Sequence, residues 1–382
     1  MQNLTITESV DFSHEVSPCD AGFDPDRLEL LIKAFESQVN IEKLHPSAQL
    51  VVLRYGKVVL SRAMGISRSK PVSRKTPYLT FSVSKAFTGV CIHKLIEERK
   101  IELDAKVADY WPEYGCNGKE NTTVRQVLLH QAGIPAPRLY SQIILWSSWR
   151  KVTKRVAQYH SVYPPGEKTA YHMLNYGFIL GELVRRVTGM QIGDYLQETF
   201  LNPLGLKYTW MPLPRREIKN SPLLKTPDRS LKIAAFLFNL PLNRHALMPA
   251  ATLHSNAEGL AIFYQMLLNG GTFNGRQYLK PETVAFATNP GYEGFDHATK
   301  SYMRWGYGFH LGGVLKTPEG EKGMGMGKGS SQAAFGHYGM ASTIAFADPG
   351  ADLVFVFTTN GMLVDSKQRN RALLDALWDA IQ

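Results

Sequence analysis

The chain has 382 residues, 44% of them hydrophobic and 11% aromatic, enough for one large core or two intertwined ones. Its formal charge of +10 arises from 43 basic residues spread among 33 acids. The densest clusters, "WRKVTKR" and the stretch 212–232, carry no RNP, zinc-finger or helix-turn-helix signature and are read as solvated surface, which excludes a nucleic-acid partner.

The first thirty residues hold acids and no signal-peptide-like apolar stretch, and no run reaches membrane-spanning length, so a cytoplasmic protein without an integral membrane segment is expected. Cys19, Cys91 and Cys116 lack C-x-x-C spacing and are read as ordinary thiols. "GFDPDRLELLIKAFESQV" opens with helix-start residues, and Leu28, Leu31, Ala34 and Phe35 follow at helical spacing. "AQLVVLRYGKVVLSRAMG" reads as two strands joined by a turn around Tyr55, Gly56 and Lys57.

From about 80 to 300 the apolar spacing is mainly helical, as in "SKAFTGVCIHKLIEERK", "YGFILGELVRRVTG" and "SNAEGLAIFYQMLLNGG". Within it, 211–250 is Pro-rich and basic around an apolar "IAAFLFNLPL". It is read as an insertion packed on the helical region, with a membrane-touching or lid element as the alternative. Short β-prone runs return in "RWGYGFHLGG", "AAFGHYGM", "ASTIAFADPG" and "DLVFVFTTN", before a last helix from Asp365 or Ser366. The pattern predicts an α+β fold: a sheet domain from residues 1–80 and 300–382, and a mainly helical domain over 81–299.

Three S-x-x-K pairs occur, at Ser67/Lys70, Ser82/Lys85 and Ser148/Lys151. On a helix this spacing lets hydroxyl and amine meet. Lys70 and Lys151 sit among other cations, whereas Lys85 is bracketed by Phe81, Val83, Ala86 and Phe87. Desolvation lowers a lysine pKa, which makes an amine able to take a serine proton near neutrality. Ser82 at a helix start would also offer its own N–H to an oxyanion. The plainer reading is an N-cap serine followed by a lysine snorkelling past apolar neighbours. Two further segments supply partners: "PPGEKTAYH", with Tyr171 before a periodic helix, and "FGHYGM", with His337, Tyr338 and Gly339 on a strand.

These segments, in this order and with "GFDPDRLELL", "LDAKVADYWPEYG", "TTVRQVLLHQAGIP" and "RWGYGF", resemble the serine β-lactamase and penicillin-binding protein superfamily. Within it the chain is most similar to the branch of class C β-lactamases, D-alanyl peptidases and family VIII carboxylesterases, over nearly its whole length. The resemblance implies a β-lactamase/transpeptidase-like fold, an antiparallel sheet flanked by helices. It implies Ser82 as the acylated serine, Lys85 as its activator and Tyr171 as a partner in acid and base work. His337, Tyr338 and Gly339 match the Lys-Thr-Gly strand that binds substrate, and Met340 would complete an oxyanion hole with the Ser82 backbone N–H. Two departures stand out. Tyr171-His172-Met173 replaces Tyr-x-Asn, and His337 replaces a fixed cation, both weakening recognition of a β-lactam carboxylate.

No G-x-S-x-G elbow occurs. "GEKGMGMGKGSS" lacks the Ser or Thr of a phosphate loop and reads as a glycine loop near the site. No metal-ligand spacing is present, so no metal or other cofactor is expected. The expected function is a serine hydrolase acting through an acyl-enzyme, a carboxylesterase on short-chain acyl esters. The alternatives are a β-lactamase, a D-amino-acid amidase or peptidase, an acyltransferase of the same fold, and a catalytically silent scaffold. A small acyl ester or amide is the expected partner, with homo-oligomerisation left open.

Overall fold

The computed structural model describes residues 9–135, 146–340 and 342–382. The reading of the chain start rests partly on residues 1–8, which lie outside these. Helix α1 (Pro25–Glu36) begins as its sequence dictates: the Asp24 side chain accepts from Arg27 N, and Pro25 occupies the first turn. Strands β1 (Ser47–Arg54) and β2 (Lys57–Ser67) then form a hairpin. Tyr55 (φ 52°) and Gly56 (φ 67°) make its two-residue turn, and the paired positive φ angles match the right-handed twist of the strands. A short β3 (Lys70–Pro71) pairs back on β2 and sets Ser67 opposite Lys70. That S-x-x-K pair therefore lies on a strand turn, not a helix.

Helix α2 (Ser84–Glu97) follows, then α3 (Trp149–Ala157) and α4 (Asn175–Thr188). Residues 211–250 contribute α5 (Lys232–Asn239), and α6 (Ala257–Leu268) is capped by Asn256, whose side chain accepts from Gly259 N. The chain returns to the sheet through β4 (Tyr292–Asp296), β5 (Ser301–Trp305), β6 (His310–Leu311), β7 (Phe335–Tyr338), β8 (Ile344–Asp348) and β9 (Leu353–Thr359), and closes with α7 (Ser366–Ala380). The nine strands run β3-β2-β1-β9-β8-β7-β6-β5-β4, with antiparallel neighbours throughout. Since β4 begins at Tyr292, the sheet reaches into the stretch read from sequence as helical.

The fold is α+β, and both faces of the sheet are covered. Along β1, Ala48, Leu50 and Val52 point to a core shared with α1 and α7, while Val51 and Leu53 point to the larger core of the helical layer. All eight β1 residues are buried. Helix α2 runs through the larger core and is apolar on nearly every side, as a helix enclosed by others must be. Its start is pinned where the cleft opens. Ser84 Oγ donates to Phe81 O at 2.5 Å and accepts from Leu253 N at 3.0 Å, and Thr88 Oγ1 donates to Pro249 O at 2.7 Å.

Candidate active site

Ser82 sits in a 3-10 turn, Phe81–Val83, immediately before α2 rather than at its first residue. Phe81 has φ 47°, a left-handed conformation costly for a bulky side chain. The surroundings hold it there: its ring packs edge-on against Phe238 of α5 at 5.0 Å. The turn lifts Ser82 into a cleft of about 420 Å³ also lined by Tyr171, Trp305, His337, Gly339 and Met340.

Lys85 is fully buried. Its Nζ lies 3.2 Å from Ser82 Oγ, 2.8 Å from Met173 O and 3.4 Å from Ala250 O. Burial pushes the amine well below the ordinary lysine range. A neutral amine here gives its two N–H bonds to the two carbonyls, which leaves its lone pair facing the Ser82 hydroxyl. The other two S-x-x-K lysines are exposed: Lys70 on β3 and Lys151 on α3.

Tyr171 enters from the loop before α4. Its backbone N–H donates to Asp296 Oδ1 at 3.1 Å, and its ring stacks on Trp305 at 5.4 Å, nearly parallel at 8°. Trp305 Nε1 donates to Asp296 Oδ2 at 3.2 Å, so one fully buried carboxylate on β4 fixes both aromatic residues. Lys85 Nζ stands 4.5 Å from the centre of the Tyr171 ring. Burial raises the Tyr171 hydroxyl above the usual tyrosine range, and its hydrogen bond to Ser82 opposes that rise. Ser82, Lys85 and Tyr171 thus form one connected unit.

His172 is structural. Its Nδ1 donates to Ala170 O at 2.7 Å, and its Nε2 accepts from Ile134 N at 3.3 Å. Burial lowers its pKa to about 4, which keeps the imidazole neutral and able to do both. Met173, where the Tyr-x-Asn pattern has its amide, lines the cleft and presents its carbonyl to Lys85.

On β7, His337 is 4% exposed, with its ring 6.1 Å from that of Tyr171. Its Nδ1 donates to Tyr338 O at 2.8 Å, so Nε2 of the neutral ring is a bare acceptor; it has no partner among the described residues. Burial above all holds the His337 pKa well below the usual histidine value, and Lys85 adds to the effect when protonated. Tyr338 packs its ring edge-on against His310 at 5.2 Å. Gly339 is required by close approach, because a Cβ there would stand 2.4 Å from Thr80 O. Met340 completes the rim facing Ser82.

All seven residues singled out in the sequence line this cleft or, in the case of Lys85, lie directly beneath it. Trp305, Asp296, His310 and the carbonyls of Met173 and Ala250 were not singled out. "RWGYGF" was a visible signal for Trp305, but a backbone carbonyl carries none. Among the described residues, no group of three or more His, Cys, Asp or Glu is placed to hold a metal ion.

Comparison with known proteins places these features in context. A family model described as Beta-lactamase matches residues 32–377. The Esterase/beta-lactamase LipL of Mycobacterium tuberculosis is 29% identical over 77% of this chain and 71% of its own length. A putative D-alanyl-D-alanine carboxypeptidase of Escherichia coli K12 is 26% identical over 91% of this chain and 85% of its own. The crystal structure of a family VIII carboxylesterase superposes with a TM-score of 0.81 at 28% identity, covering 94% of this chain and 99% of that one. A penicillin-binding protein homologue from Caulobacter crescentus gives 0.79, also at 28% identity and with the same coverage.

Proposed function

The chain belongs to the beta-lactamase family of serine hydrolases, and on that premise we propose that it is a carboxylesterase for short-chain acyl esters. Lys85 takes the Ser82 proton as Oγ attacks the ester carbonyl, and the Ser82 and Met340 N–H groups receive the oxyanion. Tyr171, bonded to Ser82, passes a proton to the departing alcohol. Water then attacks acyl-Ser82 and gives its proton to Tyr171, while Lys85 returns the proton it took to Ser82 Oγ as the acid leaves.

The observation that carries the ester reading is the charge of the cleft wall. Among the described lining residues there is no Arg, Lys, Asp or Glu. Where a cation would meet a β-lactam or D-alanyl carboxylate, His337 is kept neutral by burial, and a carboxylate placed there would be desolvated with no charge to pair with. A neutral ester meets no such penalty. The names of the mycobacterial and enterobacterial relatives keep the β-lactamase and peptidase readings as the alternatives to test.

Turnover of p-nitrophenyl acetate, butyrate and octanoate, nitrocefin and a D-alanyl amide, with Ser82→Ala as control, tests the assignment. Acetate and butyrate esters are expected to dominate, with Ser82→Ala inactive. Ester turnover surviving in Ser82→Ala removes the mechanism, and nitrocefin turnover equal to that of the best ester overturns the substrate class.

A further inference from the structure

The segment Arg229–Arg244 forms one lip of the cleft. Leu231 lines the cleft itself, as do Leu363 and Val364 from the loop before α7. The two stretches are tied together: Val364 N donates to Asp228 Oδ2 at 2.9 Å, and Met362 N donates to Lys225 O at 2.8 Å. Helix α5 buries Ala234, Ala235 and Phe238, the last against Phe81 and Trp146. Its outer side carries Ile233 and Phe236, one turn apart and 65% and 63% exposed. Val364 at the mouth is 66% exposed, and Leu242 beyond α5 is 57% exposed. A buried apolar face packs the helix, so a second apolar face left in water needs its own explanation.

The charges around this surface are mainly basic, and Asp365 beside Val364 is paired with Arg369 Nε at 2.9 Å. Lys225, Arg229 and Lys232 are exposed in the same segment, while Asp228 is turned onto the Val364 backbone. A second copy of the chain docking the same patch by two-fold symmetry would bring these cations against their equivalents. A surface with apolar depth and anionic headgroups fits both features, as it does for amphipathic helices with basic flanks.

We propose that this lip docks the protein onto an anionic lipid–water interface, with Ile233, Phe236 and Val364 inserted and the cleft mouth at the surface from which amphiphilic esters enter. Docking stands on the surface alone; only the entry of esters rests on the carboxylesterase reading.

The test uses the full chain carrying Ser82→Ala, mixed with vesicles of equal parts phosphatidylcholine and phosphatidylglycerol, or of phosphatidylcholine alone, and measures co-sedimentation. Binding is expected to the mixed vesicles and to be at least roughly tenfold weaker to the neutral ones, since each cation near an anionic surface contributes a factor of about five. Two variants made with Ser82 intact, Ile233→Ser/Phe236→Ser and Arg229→Glu/Lys232→Glu, are expected to lose binding by at least about tenfold. Both should keep turnover of soluble p-nitrophenyl acetate. Equal binding to both vesicle types, no binding, or undiminished binding by both variants overturns the proposal. So does patch-dependent self-association in light scattering without vesicle binding. Vesicle binding in a protein without ester turnover would sink the esterase reading and leave docking intact.

Discussion

Lys85 is fully buried beneath the cleft, and its proton balance links catalysis to stability. In the unfolded chain it holds a proton up to the ordinary lysine range, while in the fold burial strips that proton at lower pH. Between the lowered value and 10.5 the unfolded state therefore binds more protons, and stability rises with pH. Turnover follows the same group, falling as pH drops through the lowered value and Lys85 becomes charged. Lys85→Met removes both effects. Ester turnover should fall roughly 10²–10⁴-fold. The pH slope of unfolding free energy, measured by urea titration at neutral and mildly alkaline pH, should flatten by up to about 1.4 kcal/mol per pH unit. Parallel slopes in wild type and variant would mean that Lys85 stays protonated in the fold, and the role assigned to its lone pair would be wrong.

At the scale of elements, the cleft depends on how closely the β7 end approaches the segment before Ser82. Gly339 N donates to Thr343 O at 2.7 Å, and the missing side chain lets Thr80 O pass at the distance a Cβ would clash. Gly339→Ala must push Thr80, and with it the Phe81–Val83 turn, away from β7. An overpacking cost of about 1–3 kcal/mol is expected. Turnover should fall further than the folded fraction, because Ser82 moves relative to Met340; an active, fully folded Gly339→Ala protein would show that the contact does not set the site.

Which elements were legible from sequence follows from where their information lies. Local chemistry announced the β1–β2 turn through Tyr55-Gly56, α1 through Asp24-Pro25, and Lys85 through its apolar flanks. The equal spacing at Ser67/Lys70 misled only about conformation, since that pair is set opposite across a strand turn. Asp296 was silent because its importance comes from Tyr171, 125 residues earlier, and from Trp305 on the next strand. The stretch 211–250 was half legible. Its packing on the helical layer follows from its apolar content, but only the fold shows that the same segment supplies Leu231 to the cleft and leaves Ile233 and Phe236 outside.

For the whole molecule, the central question is whether the sheet and the helical layer can come apart. The larger core draws Val51 and Leu53 from β1, Ala345 and Ala347 from β8, and Val354 and Val356 from β9 into contact with the helical residues around α2 and α6. The same strands turn Leu50, Val52, Phe346 and Phe355 toward α1 and α7. Loss of the sheet would therefore remove one wall from each core. The site spans the same boundary, with Ser82 and Lys85 at the start of α2 and His337 on β7. Urea unfolding should therefore proceed in one transition, with far-UV circular dichroism, tryptophan fluorescence and ester turnover sharing a midpoint. Activity lost well before the circular dichroism signal would show that the cleft opens as a separate unit. Two spectroscopic transitions would show that the helical layer folds without the sheet, contrary to a core that the two build together.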